Sequence, residues 1–475
     1  MSIQMFAKKP QTKNQEKITL IGAGLAGCAL GMYLAKRGFK VDIYERRPDI
    51  RKVDFRGGRS INLTLSARGI HVLKQLNLYK KVMKIAIPLK GRTIHSINGN
   101  LTFQPYGTKS EEVLYSIDRN KFNYLLLDEI EKQENLQIHF NQKCMDMDFD
   151  RQELKLRHEI TGKETIVKGT PVIGTDGSAS SLRMAMLRVR GFNFSQSYLD
   201  HGYKELTIAA GQNNQFLMDK NSLHIWPRGQ YMLNGFPNLD GTFTCILFAP
   251  FHGEYSFESL DRKEKVVDFF KTQFPDVLPL MPNLVEKYFE KNAGSLITIK
   301  CNPWYIEDKA LILGDAAHAI VPFYGQGMNC ALEDCAYLDE CVEKYGNNWK
   351  KVFQEFEKLR KVNTDAIADM SVENYIELRD RVSDPKFLLK KKVELVLGEK
   401  YPRIFTPKYS MIAFGRIPYS EAQAIARVQD RILEELCHNL ESIEQLNWEK
   451  AEFLVKERLL NSNELQPSIL RPAIA

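Results

Sequence analysis

The order of apolar and polar residues near the start of the chain predicts a strand, a helix and a second strand. Residues 17–45, KITLIGAGLAGCALGMYLAKRGFKVDIYE, contain an apolar run, a glycine-rich turn, a segment of helical period, Gly38 and another apolar run. This succession is typical of a βαβ unit whose helix ends at Gly38. Two later apolar runs, PVIGTDG at 171–177 and ALILGDAAH at 310–318, predict two more buried strands, and each is followed by Gly and Asp.

The segments between and after these runs have a different character. Residues 90–106 and 200–250 are rich in Thr, Phe, Tyr, Ile and Leu between turn residues, which predicts a mostly antiparallel sheet. From about residue 328 onward, segments of helical period at 329–343, 350–383 and 420–438 replace the strand patterns. Charged residues interrupt the apolar positions of the last segment, so we predict an amphipathic packing helix there.

Composition and charge narrow the class of protein. The 475 residues are 44% hydrophobic and 26% charged, which is typical of a globular protein long enough for two or three domains. The net charge of +7 comes from basic residues scattered among acidic ones, so nucleic acid is not an expected partner.

The absence of apolar targeting patterns and the spacing of the cysteines indicate in which cellular compartment the protein is expected. The first 16 residues lack the apolar stretch that a signal peptide needs, and no run approaches the roughly 18 apolar residues of a spanning helix. The eight cysteines show neither a paired metal-ligand spacing nor CxxC, which favours reduced thiols and no metal site. We therefore expect a cytoplasmic protein without a membrane anchor, as a monomer or a homodimer.

The turn after the first predicted strand carries a dinucleotide motif, GxGxxG, at the start of the predicted helix. Its glycines permit a tight turn and close approach of a pyrophosphate, and the helix N-terminus supplies N–H groups. The residues expected to contact the ligand are Gly22, Gly24, Leu25, Ala26 and Gly27. Glu45, at the end of the next strand, is placed to accept hydrogen bonds from a ribose hydroxyl. The motif alone is also compatible with a glycine turn that binds nothing.

Two later motifs decide between FAD and NAD. An NAD dehydrogenase has no need of GTDG at 174–177 or of GDAAHAIVPFYGQGMN at 314–329. In this order the three motifs resemble those of the aromatic hydroxylases, a group of FAD-dependent flavoproteins. A helix starting near Gly327 would point its positive end at the flavin and favour the anionic reduced ring by about 1 kcal/mol. The alternative is a glycine- and proline-containing turn followed by a core helix.

The resemblance implies roles for individual residues. Asp315 is expected to hydrogen-bond the ribityl chain, and the residues expected under the isoalloxazine are Gly325, Gln326, Gly327, Met328 and Asn329. Residues expected near the rest of FAD are Arg119, Cys144, Asp176 and Gly177, the last two also being associated with transient NADPH docking. His318, Pro322, Phe323 and Gln326 are expected to wall a pocket above the flavin.

Within this group the chain resembles the kynurenine 3-monooxygenases from about residue 17 to 425. The resemblance includes RGGRSINLTLSARG (56–69), GRTIHSINGNLTFQPYGT (91–108), LHIWPRGQYML (223–233), ENYIELRDRV (373–382) and YSMIAFGRIPY (409–419). It implies that Arg92 and Tyr106 grip the substrate carboxylate, and that Asn374, Glu377 and Tyr409 lie beside the substrate. Asn374 and Glu377, three residues apart on a predicted helix, share a face.

A hairpin tests the carboxylate clamp. If Asn98-Gly99-Asn100 forms a three-residue loop, Ile97 pairs with Leu101 and Arg92 pairs with Tyr106 on one face. A two-residue loop would send Arg92 and Tyr106 to opposite faces. We predict the three-residue loop.

These observations predict an α/β protein with three parts. They are a discontinuous Rossmann-like FAD-binding domain of aromatic hydroxylase type (15–85, 107–190 and 296–345), an antiparallel β-sheet substrate domain (86–106 and 191–295) and a C-terminal helical region (346–475). The resemblance implies hydroxylation of L-kynurenine with NADPH and O₂ through a flavin C4a-hydroperoxide, with side chains in positioning roles. Alternatives are an FAD hydroxylase of another aromatic acid, such as a phenol, and a non-hydroxylating FAD-binding protein.

Overall fold

The computed structural model describes residues 16–53, 62–107, 109, 111–380 and 384–460, apart from the side chains of residues 378–380. Some predictions extend outside these residues. They are the end of the helix at 350–383, residues 461–475 of the C-terminal region, and residues 15, 54–61, 108 and 110 of the FAD-binding domain.

The strands lie mainly in the first two thirds of the described chain. In chain order they are β1 (Lys17–Ile21), β2 (Lys40–Tyr44), β3 (Asn62–Leu65), β4 (Ala86–Leu89), β5 (Gly91–His95), β6 (Leu101–Pro105), β7 (Leu114–Asp118), β8 (Leu136–His139), β9 (Gln142–Asp148), β10 (Glu153–His158), β11 (Glu164–Lys168), β12 (Val172–Gly174), β13 (Asn193–Ile208), β14 (Ser222–Arg228), β15 (Tyr231–Pro237), β16 (Phe243–Pro250), β17 (Gly294–Asn302), β18 (Tyr305–Ile306) and β19 (Ala310–Ile312).

Helices connect the strands and then form the end of the described chain. The α-helices are α1 (Leu25–Lys36), α2 (Ala67–Gln75), α3 (Tyr79–Val82), α4 (Arg119–Ile130), α5 (Ser181–Met186), α6 (Lys263–Gln273), α7 (Leu284–Glu290), α8 (Asp315–His318), α9 (Gly327–Tyr345), α10 (Trp349–Asp380), α11 (Pro385–Lys400), α12 (Lys408–Ala413), α13 (Tyr419–Cys437) and α14 (Trp448–Leu460). Short 3-10 turns lie at Met83–Ile85, Gln212–Asn214, Leu278–Leu280, Pro322–Tyr324 and Ile443–Gln445.

A six-stranded sheet forms the Rossmann-like layer, in the order β18-β19-β12-β1-β2-β8. β1 pairs in parallel with β2 and β12, β12 with β19 and β2 with β8, whereas β18 runs antiparallel to β19. The predicted βαβ unit and both later buried strands are confirmed. The three strands that carry the glycine motifs, β1, β12 and β19, are neighbours, so their carboxyl ends meet at one edge of the sheet.

A seven-stranded sheet, in the order β17-β13-β16-β15-β14-β5-β6, forms the second layer. Its pairings are antiparallel except for β14 with β5, which confirms the mostly antiparallel sheet predicted from residues 90–106 and 200–250. Two three-stranded sheets, β3-β7-β4 and β11-β10-β9, flank the two layers. The α/β fold class is confirmed, while the domain boundaries stay predictions.

The hairpin between β5 and β6 has its loop one residue earlier than predicted. The N–H of Ser96 donates to the carbonyl oxygen of Asn100 at 3.0 Å, so the three loop residues begin at Ile97 rather than at Asn98. Gly99, the last loop residue, takes φ +81, the left-handed conformation typical of that position. Glycine adopts it without strain, whereas the predicted loop would have placed Asn100 there. The predicted loop and its register are therefore wrong.

The observed register still keeps Arg92 and Tyr106 on one face. Arg92 pairs with Gln104 and not with Tyr106, a shift of two residues from the prediction. Because side chains alternate along a strand, a shift by an even number leaves every side chain on its face. Tyr106 directly follows β6, and 5.2 Å separate its ring centroid from the guanidinium carbon of Arg92.

The two faces of the seven-stranded sheet pack against different parts of the chain. On one face, Trp226, Leu233 and Leu247 join a buried apolar cluster with α6. On the other face the buried apolar residues are Leu223, Ile225, Met232, Phe236, Ile246 and Phe248, which cluster with Phe323 and Tyr409. This second face lies toward the Rossmann-like layer and forms one wall of the candidate site.

The helical segments predicted at 329–343 and 420–438 are confirmed as α9 and α13. On α13 the side chains of Val428, Ile432 and Leu436 are buried, as expected for an amphipathic packing helix. α10 packs against both α9 and α13, and so connects the C-terminal helices to the Rossmann-like layer. Within the described residues, no helix combines the length and the apolar character needed to cross a membrane.

A buried histidine pair lies on the sheet face opposite Arg92. His95 Nε2 lies 2.8 Å from His224 Nδ1, and His95 Nδ1 lies 3.2 Å from Asp276 Oδ2, which also accepts from the indole N–H of Trp226. Burial and the nearby His224 and Arg228 lower the pKa of His95, and although Asp276 raises it, the pKa falls to about 4. Burial also lowers the pKa of His224. Both rings are therefore neutral in the folded protein near pH 7.

We expect this pair to make the protein sensitive to mild acid. Because the folded-state pKa of His95 lies below its unfolded value near 6.5, the unfolded state binds more protons between pH 6.5 and 4. The contribution of neutral His95 to stability is therefore fully present above pH 6.5 and is lost as the pH falls toward 4. For His95 alone, the unfolding free energy should fall by about 2 kcal/mol between pH 7 and 5.

Denaturant unfolding at both pH values measures this loss. His95→Gln should remove most of it, while His252→Gln, at a side chain that is 83% exposed, should leave it unchanged. An unaltered pH dependence in His95→Gln would contradict the prediction.

Candidate active site

Two connected cavities lie between the Rossmann-like layer and the seven-stranded sheet. The long cavity, about 740 Å³, follows the carboxyl ends of β1 and β12. The apolar cavity, about 290 Å³, lies against the sheet face that carries Ile225 and Phe248. The residues that line both are Gly24, Arg119, Thr175, Gly177, Ile246, Phe248, Asp315, Ile320 and Pro322.

Most of the predicted cofactor-binding residues line these cavities. Those at the long cavity are Gly22, Gly24, Glu45, Arg119, Cys144, Asp176, Gly177 and Asp315. Those at the apolar cavity are Gly24, Leu25, Ala26, Arg119, Gly177, Asp315, Gly327 and Met328. Gly27 and Asn329 line neither.

The glycine motif places the N-terminus of α1 at the long cavity. Gly24 is the N-cap residue and no side chain caps this end, so the first N–H groups of the helix point toward the cavity. Gly22 takes φ +98, which favours glycine. Gly27 instead lets α1 pack against β1, because an added Cβ would lie 2.0 Å from the carbonyl oxygen of Gly22. The three glycines therefore have different tasks.

Glu45 lies at the far end of the long cavity and is buried. Its Oε2 accepts from the backbone N–H of Ala23 at 2.8 Å, and its Oε1 accepts from the backbone and Nε of Arg47. Burial raises the pKa of Glu45, but the hydrogen bonds and charge of Arg47 outweigh this and lower it. Glu45 is thus an ionised acceptor held in a fixed position.

Asp176 and its neighbours line the middle of the long cavity. The Oδ2 of Asp176 accepts from the N–H of Ser181 at 2.7 Å, whereas its buried Oδ1 has no partner among the described residues. Burial raises the pKa of Asp176. Arg119, at the first turn of α4, is exposed to the cavity. Burial raises the pKa of the Cys144 thiol, so Cys144 contributes shape rather than charge.

Asp315 lies where the two cavities meet. It follows Gly314, whose φ of +62 turns the chain sharply after β19, and its side chain is exposed to the cavities. α9 begins at Gly327 with no side-chain cap, and Gly327 and Met328 line the apolar cavity. The predicted helix start at Gly327 is confirmed, and a second helix N-terminus therefore faces the cavities.

Three residues that were predicted to lie beside the flavin do not line either cavity. His318, Gln326 and Asn329 are buried and line neither cavity. Gln326 accepts a hydrogen bond from the hydroxyl of Tyr419 at 2.9 Å and lies beside Ser66. Asn329 accepts from the N–H of Ser66 and donates to the carbonyls of Thr64 and Gly325. They position the segment instead of forming the cavity wall, whereas Pro322 and Phe323 do line the apolar cavity.

His318 belongs to a buried network of charges behind the Asp315 turn. Asp334 Oδ2 lies 2.6 Å from His318 Nε2 and accepts from the N–H of Gly314, while its Oδ1 accepts from Arg360 Nε at 2.7 Å. Burial opposes the ionisation of Asp334, but His318 and Arg360 lower its pKa. His318, Cys330 and Asp334 could together offer ligand atoms to a metal ion, yet the guanidinium of Arg360 among them repels a cation.

The network continues to the C-terminal helices. Glu333 accepts from Arg360 Nη1 at 2.8 Å and from Arg68 Nη1 at 2.6 Å. The Arg68 guanidinium carbon lies 3.8 Å from the ring centroid of Tyr419. Because Tyr419 also donates to Gln326, the network joins α2, α9, α10 and α13 to the segment beneath the cavities.

One end of the apolar cavity is formed by a cation and two phenols from different parts of the chain. The guanidinium carbon of Arg92 lies 4.6 Å from the ring centroid of Tyr409 and 5.2 Å from that of Tyr106. Tyr106 and Tyr409 stack at 5.6 Å, and Tyr409 stacks on Tyr324 at 5.9 Å. Burial raises the pKa of Tyr106, so it remains a hydroxyl donor at neutral pH. This arrangement suits an anionic group of a ligand.

The structure does not place Asn374 and Glu377 on this cavity. Asn374 Nδ2 donates to the carbonyl oxygen of Phe323 at 2.8 Å, so it holds a residue that lines the cavity. Glu377 lies on the same helix near Tyr324 and Lys391 and does not line the cavity. Their direct contact with the substrate therefore stays a prediction.

The apolar wall contributed by β14, β15 and β16 was not predicted from the sequence. Its residues are Leu223, Ile225, Met232, Phe236, Ile246 and Phe248. The alternation within LHIWPRGQYML indicates strands, but which face meets the Rossmann-like layer depends on packing between the two sheets. Tyr324, which stacks on Tyr409, was missed for the same reason.

The long cavity fits FAD by the shape and chemistry of its residues. An added Cβ at Gly24 or Gly177 would meet nothing within 4 Å, so both glycines leave open space where a phosphate chain can approach. The unpartnered Oδ1 of Asp176 and the exposed carboxylate of Asp315 can accept from hydroxyl groups. The connected apolar cavity adds room for a ring system and a second ligand.

Comparison with known proteins agrees with this geometry. The chain matches the family model described as FAD binding domain over residues 15–229 and 289–342. It is 45% identical over 445 residues to kynurenine 3-monooxygenase of Myxococcus xanthus (strain DK1622), covering 94% of this chain and 96% of that protein. The chain belongs to the kynurenine 3-monooxygenase family of FAD-binding proteins. The kynurenine 3-monooxygenase of Dictyostelium discoideum is 43% identical over 455 residues, covering 93% of this chain and 97% of that protein.

Solved structures share the fold at lower identity. A tetrameric form of 2-methyl-3-hydroxypyridine-5-carboxylic acid oxygenase matches with a TM-score of 0.63 at 18% identity, covering 78% of this chain and 95% of that chain. The p-nitrophenol 4-monooxygenase of Pseudomonas putida DLL-E4 matches with a TM-score of 0.63 at 15% identity, covering 81% and 95%. These matches show that this member of the kynurenine 3-monooxygenase family has the fold of FAD monooxygenases.

The glycine motif offers a prediction that separates folding from FAD binding. In Gly27→Ala the new methyl group meets backbone at Gly22 and the Thr175 hydroxyl at 2.6 Å. We expect the unfolding free energy of the apoprotein to fall by about 1–3 kcal/mol. In Gly24→Ala the methyl group meets open space, so stability should be unchanged, while FAD affinity should fall by about tenfold or more.

Apoprotein unfolding and fluorescence titration with FAD measure the two effects, and each variant is the control for the other. Equal loss of stability in both variants would contradict the assigned tasks.

Proposed function

We propose that this chain hydroxylates L-kynurenine at the ring carbon ortho to the aromatic amine. One molecule each of L-kynurenine, NADPH and O₂ and one proton give 3-hydroxy-L-kynurenine, NADP⁺ and water. The observation that carries this proposal is Arg92 between two phenols at one end of an apolar cavity that opens onto the FAD-fitting cavity. An aromatic amino acid needs both features, an anion clamp and an apolar wall.

FAD would be held along the long cavity. The N-terminus of α1 and the open backbone at Gly24 and Gly177 suit the pyrophosphate, and Glu45 suits a ribose hydroxyl. Asp315 suits the ribityl chain, and the N-terminus of α9 suits the flavin ring. When bound, FAD supplies the redox chemistry that activates O₂ with electrons from NADPH. A second GxGxxG is absent from the sequence, so NADPH is expected to bind transiently.

The side chains of the apolar cavity position the substrate. Arg92 offers a planar fork of N–H donors to the carboxylate, and the hydroxyls of Tyr106 and Tyr409 can donate alongside it. Phe248, Phe323 and Ile246 form apolar walls for the aromatic ring. Asn374 holds the backbone of Phe323 and so keeps one wall in place.

The same walls exclude water from the reacting groups. The aromatic amine already enriches the ring with electrons, so no side-chain base is required to activate the ring carbon. The protein therefore contributes orientation and a dry cavity, which together can supply a large share of the rate acceleration.

The direct test is to purify the protein and measure NADPH oxidation with and without L-kynurenine. We expect L-kynurenine to stimulate oxidation and the product to be heavier by one oxygen atom. A phenolic acid such as salicylate is the comparison substrate. Stimulation by the phenolic acid alone, or no stimulation by either compound, would refute the proposal.

A further inference from the structure

Asn234 places an amide on the otherwise apolar sheet wall of the apolar cavity. It lies on β15, paired with Ile225 of β14 on one side and Ile246 of β16 on the other. All three side chains line the cavity. The amide is thus flanked along the wall by aliphatic groups.

The amide of Asn234 is incompletely satisfied. Its Oδ1 is buried and accepts no hydrogen bond from the part of the chain that the structure describes. Buried acceptors are nearly always paired in folded proteins, and exceptions occur where another molecule completes the bond. A half-turn about the Cβ–Cγ bond exchanges the two ends of the amide, so either end can face a ligand.

The sheet register relates Asn234 to the carboxylate clamp. Arg92 of β5 pairs with Leu223 of β14, and Asn234 of β15 pairs with Ile225, two residues further along β14. From strand spacings, the Cα atoms of Arg92 and Asn234 are about 12 Å apart on one face. Arg92 and Asn234 therefore lie on the same wall, with apolar side chains between them.

We propose that Asn234 accepts a hydrogen bond from the ring amine of the substrate. This rests on the proposed function, since L-kynurenine carries its carboxylate at one end and an aromatic amine beside a ketone at the other. The amine and ketone present a donor next to an acceptor, which the amide of Asn234 complements. Because the hydroxylated carbon is bonded to the carbon that carries the amine, holding the amine also orients the reacting carbon.

The test compares two ligands that differ only in the ring amine, L-kynurenine and its analogue without that amine, 3-benzoylalanine. Binding is measured by titrating the absorbance of the FAD-loaded enzyme. The wild type should bind L-kynurenine about tenfold more tightly than 3-benzoylalanine, the size of one buried hydrogen bond. In Asn234→Leu this ratio should fall to about one, because affinity is lost for L-kynurenine and not for the analogue.

Two further variants serve as a control and as a second test of the hydrogen bond. Ile246→Val trims a neighbouring apolar residue of the same wall and should weaken both ligands by the same factor, leaving their ratio unchanged. Asn234→Asp has nearly the shape of asparagine and keeps an acceptor, so it should retain a preference for L-kynurenine. It remains informative if Asn234→Leu does not fold.

A ratio that stays at the wild-type value in Asn234→Leu, or that falls to one in Asn234→Asp, overturns the role of Asn234. Failure of the proposed function has a different signature. In that case the wild-type enzyme itself shows no NADPH oxidation stimulated by L-kynurenine. An active wild type with an unchanged ratio in Asn234→Leu would refute only the inference about Asn234.

Discussion

Replacing Arg92 by lysine is expected to lower kcat/KM for L-kynurenine by roughly a hundredfold, about 3 kcal/mol of binding to the transition state. Arginine offers two parallel N–H donors to a carboxylate, whereas the lysine ammonium is a point charge that cannot reproduce the fork. The guanidinium also lies over the rings of Tyr409 and Tyr106, contacts that lysine would make poorly. Both effects weaken the hold on the carboxylate.

The loss should fall mainly on KM. The carboxylate is remote from the ring carbon that reacts, so Arg92 binds the ground state and the transition state about equally. Steady-state kinetics and spectral titration with L-kynurenine measure the two parameters. The matched control is Arg157→Lys on β10, where an exposed guanidinium lies 3.5 Å from Glu159 and away from both cavities. An Arg92→Lys enzyme that keeps its affinity for L-kynurenine would refute the carboxylate clamp.

Replacing Arg360 by methionine should lower the unfolding free energy by about 3–5 kcal/mol, because it removes a charged partner that two buried carboxylates share. Arg360 is 2% exposed and donates to both Asp334 and Glu333. Burial lowers the pKa of Arg360, yet the two carboxylates raise it well above its usual value, so the guanidinium stays charged. Without it, Asp334 keeps His318 and Glu333 keeps Arg68, but each carboxylate loses a charged hydrogen bond in a medium that solvates it poorly.

Denaturant unfolding compares this variant with Arg458→Met. Arg458 on α14 donates to Glu435 at 2.6 Å, but this pair is exposed and should contribute little to stability. Equal losses in the two variants would show that the buried network does not act as an ion-paired unit. Because Asp334 also accepts from the N–H of Gly314, Arg360→Met should in addition weaken FAD binding at Asp315.

Local rules explain which predictions the structure confirms. The glycine turn between β1 and α1 follows from residues that are neighbours in the sequence, as do the start of α9 at Gly327 and the alternation of β5 and β6. Backbone sterics and side-chain periodicity act over a few residues, so they can be recognised in the sequence. The hairpin also shows the limit of these rules. Its loop begins one residue earlier than predicted, and this difference shifts the pairing of β5 with β6 by two residues.

Long-range packing explains why His318 and Gln326 do not line the cavities. His318 does not line the cavities because Asp334 of α9, which also accepts a hydrogen bond from Arg360 of α10, offers it a buried partner. In the same way, Gln326 accepts a hydrogen bond from Tyr419, which lies on a distant helix. A polar residue in a motif can meet the ligand or the core, and sequence spacing does not distinguish these outcomes.

The βαβ unit, the three glycine-ended strands, the antiparallel sheet, the C-terminal helices and the family were all predicted from the sequence. Each depends on short-range conformational preferences or on motifs of adjacent residues. The tertiary structure alone decided that Arg92 meets Tyr409, that Asn374 supports Phe323, and that Asn234 faces the cavity. These contacts join segments far apart in the chain, and their geometry is set by how the two sheets and the C-terminal helices pack together.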